Sequence, residues 1–169
     1  LRNIQIIAAI LLVLGEGMLF AANRYDPINA SVLMLAMLLF ALGNVRFMFV
    51  AYAPASTKLG AFLTITGYFL SALFFFDVMG FGISEHSSHF HKKLFWFPQL
   101  LLIGGMCFLT LWFHQRSKMD ALPGVTMAFA LVLYSGTRYF EFASLLQLIG
   151  GIALAGSAVW IAFYKLEKY

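Results

Sequence analysis

Residues 4–23 read IQIIAAILLVLGEGMLFAAN, about twenty residues with one charge, Glu16. A helix of roughly 20 apolar residues crosses a hydrocarbon core about 30 Å thick. Five more stretches of this kind follow, at 27–52, 59–80, 94–113, 121–139 and 144–164. They fill most of the 169 residues, and the chain is 62% hydrophobic and 11% charged. A single soluble core of this size cannot bury so much apolar surface. The sequence therefore predicts an all-α, polytopic integral membrane protein: a six-helix bundle forming one transmembrane domain over residues 1–169.

The breaks between spans carry turn and cap chemistry. Asp26-Pro27 reads as a cap followed by proline in the first turn of the second helix. Asp120 and Pro123 open the fifth helix in the same way, and Pro54 ends the second. Short connections make sequential helices antiparallel neighbours. The longest loop covers residues 81–93. The first span is too long for a signal-peptide core and carries Glu16. The chain opens on Leu1, from which trimming of the N-terminus is expected.

Six spans put both termini on one side. Arg2, Lys58, Arg116, Lys118, Lys165 and Lys168 lie there, with Arg46 close by; Arg24, Lys92, Lys93 and Arg138 lie opposite. The positive-inside rule then makes the terminal side cytoplasmic or its equivalent. The net charge of +4 belongs to loops and headgroup contacts, so nucleic acid is not an expected partner. The expected partners are the lipid bilayer and, in an assembly, further copies of the chain or other membrane subunits. Cys107 is the one cysteine, which excludes an intramolecular disulfide; it reads as a small core residue. Asn29-Ala30-Ser31 matches a glycosylation sequon but starts a helix at the membrane, so it is discounted.

The two halves show a faint likeness. Gly17-Met18-Leu19-Phe20 pairs with Gly105-Met106-Cys107-Phe108, Gly43-Asn44-Val45-Arg46-Phe47 with Gly136-Thr137-Arg138-Tyr139 across one gap, and Gly67 and Ser71-Ala72 loosely with Gly151 and Ser157-Ala158. Three spans per unit would make such a repeat inverted, an architecture common in transporters. The expectation is that two three-helix halves superpose.

Intramembrane charges are the candidates for function. Glu16 leads: it lies roughly 10 Å from the end of its span, between Gly15 and Gly17. Asp77, Arg138 and Glu141 fall near the same membrane face and would form a polar mouth to a cavity around Glu16. Arg46 lies near the other end. Local ion pairs and snorkelling are the plainer reading of these four.

The loop also holds Glu85, His86, His89 and His91, an HxxHxH pattern with a carboxylate beside it. Those ligand types suit zinc or copper. The remaining histidine, His114, is about 30 Å away by helix rise, which excludes a di-iron site. No cofactor is expected, a peripheral zinc or copper in this loop being the one exception considered. No hydrolase, phosphate-loop or dinucleotide motif is present. The leading expectation is passage of a small solute or proton through a polar cavity around Glu16. The alternatives are a non-catalytic subunit of a larger membrane complex, and a lipid-modifying or loop-metal enzyme.

Overall fold

A computed structural model describes residues 2–22, 27–49, 54–78, 96–116, 121–139 and 144–163. Within them lie six α-helices: α1 (Arg2–Ala22), α2 (Pro27–Asn44), α3 (Ala55–Val78), α4 (Trp96–Arg116), α5 (Leu122–Tyr139) and α6 (Ser144–Ala162). A 3-10 turn, Val45–Phe49, follows α2. The protein is an all-α membrane bundle. Five helices are long and apolar enough to cross a bilayer, and α5 has the shorter apolar segment Leu122–Gly136.

Each helix packs on the one before it and the one after it, and α6 packs on α1. The bundle is thus a closed ring, with no backbone contact across it among the described residues. Contacts between small residues and side chains fix the antiparallel register. A Cβ on Gly43 would stand 2.5 Å from Cγ of Gln5, and one on Gly15 would stand 2.8 Å from the Leu33 side chain. α3 and α4 approach backbone to backbone: a Cβ on Gly105 would stand 2.6 Å from the Gly60 carbonyl oxygen. Lipid gives helices no hydrophobic reason to associate, so close backbone approach at small residues supplies the attraction.

The outer surface is apolar, as lipid requires. Ile10, Ile28, Phe62, Leu111, Phe129 and Phe163 are all more than half exposed. Cys107, expected in the core, is exposed on this surface. Asn29 is fully buried, in line with discounting the sequon. Of the glycines paired in the half-to-half likeness, Gly17 and Gly105 occupy unlike settings. Gly105 is jammed against Thr64 and Gly60, whereas Gly17 has no neighbour within 4 Å of an added Cβ.

Two span boundaries differ from the sequence reading. The second span was expected to run unbroken to residue 52, but α2 ends at Asn44. There Asn44 turns its Nδ2 back to donate to the Phe40 carbonyl at 2.8 Å. Such back-bonding competes with the regular ladder, and the chain tightens into the 3-10 turn. The third helix starts earlier than expected, because the Pro54 carbonyl accepts from the amides of Thr57 (3.0 Å) and Lys58 (3.3 Å). Pro54 therefore opens α3 as well as following α2.

Candidate functional site

Glu16 is placed by its neighbour. Gly15 faces α2, and one residue further along α1 the direction turns by about 100°, which brings Glu16 to α6. It meets Gly151 there: an added Cβ would stand 2.7 Å from Cγ of Glu16. The adjacent Gly150 lies against the α5 backbone, where a Cβ would stand 3.1 Å from Cα of Tyr134. The Gly150-Gly151 pair thus seats Glu16 on one flank and Tyr134 on the other. Both are buried, Glu16 at 1% exposure and Tyr134 at 0%. Glu16 lies six residues from the end of α1 and Tyr134 five from the end of α5. Both are therefore about 8–9 Å inside the same end of the bundle.

Arg46 occupies the other end. It stands in the 3-10 turn and reaches the C-terminus of α6. Its two terminal nitrogens donate to the carbonyls of Ala162 (3.2 Å) and Ile161 (2.7 Å). A cation there satisfies carbonyls that a helix end leaves over and complements the negative end of the helix dipole. The guanidinium carbon also lies 4.7 Å from the Phe47 ring centroid. Arg46 therefore has a structural task, tying α2 to α6, and it is far from Glu16 along the bundle.

Phe47 continues the same closure. It is fully buried, and its ring lies 6.0 Å from that of Phe113 on α4. The 3-10 turn also packs on α3. One five-residue segment thus sends side chains to two further helices, Arg46 to α6 and Phe47 to α4.

The backbones of Asp77 and Arg138 belong to the last turns of α3 and α5, at the Glu16 end of the bundle. Their side chains lie outside the described residues, as do Glu141 and the loop group Glu85, His86, His89 and His91. Among the described residues, no three His, Cys, Asp or Glu side chains converge on a point.

The interior also holds uncharged polar groups that the sequence reading passed over. Gln99 Nε2 donates to Ser71 Oγ at 3.0 Å, and Ser71 donates to the Gly67 carbonyl at 2.9 Å. Tyr68 is fully buried and stacks on Phe40 with centroids 5.2 Å apart. Gln5, Asn44 and Thr57 are buried near the Arg46 end. A signal was available: a polar residue inside an apolar span faces the bundle interior by default. Gln5, Tyr68, Ser71 and Gln99 each meet that description. No family model, curated protein or solved structure matches this chain.

Proposed function

We propose that this membrane protein passes a small solute or a proton through the polar interior at the Glu16 end of the ring. The observation that carries the reading is the seat of Glu16: a carboxyl group at 1% exposure, packed on Gly151 inside a lipid-embedded bundle. Burying a carboxyl in such surroundings is costly, and intramembrane acids that persist mark solute or proton paths. In the proposal α5 crosses the membrane as the sixth span, and Asp77, Arg138 and Glu141 form the mouth on that side. Glu16 takes up and releases a proton or a cation from the solute path, while the Val45–Phe49 turn is the barrier at the opposite end. Flux into proteoliposomes tests the reading. Glu16→Gln keeps shape and volume but removes the charge, and it is expected to abolish flux. Equal flux in variant and wild type overturns it.

The subunit reading has its own support. Gly104 on α4 and Gly156 on α6 have no neighbour within 4 Å of an added Cβ, and small outward residues allow another helix to approach. Native mass spectrometry after mild extraction separates the two readings. Stoichiometric copurification with other membrane chains favours the subunit, whereas a monomer or homo-oligomer favours the self-contained transporter.

A further inference from the structure

The α3–α4 contact sets two buried polar groups side by side without joining them. Gly67 of α3 lies against α4, where an added Cβ would stand 2.8 Å from the Pro98 carbonyl oxygen. The next residue on each helix, Tyr68 and Gln99, is rotated about 100° from that contact. The helices are right-handed and antiparallel, so both rotations lead to the same side of the pair. Burial identifies this side as the bundle interior: Tyr68 is 0% and Gln99 1% exposed, whereas the following residues, Phe69 and Leu100, face outward.

The hydrogen bonds then fix which atoms remain over. Ser71 has one hydroxyl hydrogen, and it is given to the Gly67 carbonyl. Its oxygen can only accept from Gln99, so the Gln99 amide must present its NH2 to Ser71. The Gln99 carbonyl oxygen is left pointing elsewhere. That oxygen and the Tyr68 hydroxyl are both inaccessible, and neither has a hydrogen-bond partner among the described residues. One is an acceptor and the other a donor. They sit at one level of adjacent helices, yet do not bond to each other. Buried groups of this kind are costly to leave unmatched, and a bridging molecule is the usual solution.

We infer that the Tyr68 hydroxyl and the Gln99 carbonyl form a binding site for one small neutral molecule. The occupant accepts a hydrogen bond from the phenol and donates one to the amide oxygen. Water is the smallest such molecule. The immediate surroundings are uncharged, with Phe40 stacked on Tyr68 and Leu102 packed at Gly67, which disfavours an ion. The site belongs to α3 and α4, whereas Glu16 lies between α1 and α6, so it stands whether or not the chain transports anything.

A crystal structure from a lipid mesophase, at a resolution that shows ordered solvent, is the direct test. Density within hydrogen-bonding distance of both Tyr68 Oη and Gln99 Oε1 is expected. An empty space, or a direct bond between the two side chains, overturns the proposal. Thermal melting of Tyr68→Phe gives a second readout with an informative sign. Removing a hydroxyl that holds an occupant lowers the midpoint, by roughly 2–4 °C; a midpoint unchanged or raised overturns the site.

Discussion

Among the described residues, the two ends of the ring place different ionisable side chains in different settings. At one end side chains of the Val45–Phe49 turn reach out from α2: Arg46 ties to α6, and Phe47 lies against Phe113 of α4. At the other end no described segment lies across the ring, and the acid Glu16 lies inside it between α1 and α6. The charged residue of the first end has its hydrogen bonds supplied by a helix terminus, which is a task of stability. The acid of the second end is buried between α1 and α6, with its side chain packed on Gly151. The difference teaches that an intramembrane charge acquires meaning from what its position leaves it to do. Arg46 reads as a clasp and Glu16 as the candidate for work.

Substitutions can break or sharpen this contrast. The largest effect is expected at the seal. Phe47→Ala should lose about 3–5 kcal/mol of stability, the usual cost of truncating a buried phenylalanine, and should raise the leak of proteoliposomes. Reversible unfolding in mixed micelles and a dye-leak assay check both halves. Arg46→Ala should cost about 2 kcal/mol, because two carbonyls at the end of α6 lose a charged donor. Arg46→Lys should recover part of that loss, since a point charge remains but the fork that spans both carbonyls is gone; the same unfolding series reads it. At the other end, Gly151→Ala should cost about 1 kcal/mol and mainly displace the flexible Glu16 side chain. The sharper sign is a loss of flux larger than the loss of folded protein. Gly104→Ala, on the open outer face, should be neutral or stabilise by up to about 1 kcal/mol through helix propensity alone. A large destabilisation there would mean that the outer face is covered.

The helices and their membrane character were legible because hydrocarbon thickness and residue hydropathy leave few alternatives. Glu16 was legible for the same reason, as a charge where charges are expensive. The clasp was not. Gly43-Asn44 and Arg46 are stop signals inside the second span, but the apolar run continues past them, and at the break itself Asn44 bonds back to Phe40. The partners of Arg46 were not legible, because they are remote in sequence, at Ile161 and Ala162. The polar contact of Gln99, Ser71 and Tyr68 was missed because uncharged residues hardly change span hydropathy, and their juxtaposition depends on the Gly67–Pro98 crossing. Of the glycines paired in the half-to-half likeness, Gly17 and Gly105 occupy unlike settings, whereas Gly67 and Gly151 both mark helix crossings.

Proton entry into dye-loaded proteoliposomes, measured in one series for wild type, Phe47→Ala and Glu16→Gln, tests the central claim most directly. The account predicts flux in wild type above protein-free vesicles, faster flux in Phe47→Ala, and Glu16→Gln reduced to the protein-free level while still folded. Wild-type flux no greater than that of empty vesicles, or Glu16→Gln as fast as wild type, would contradict it.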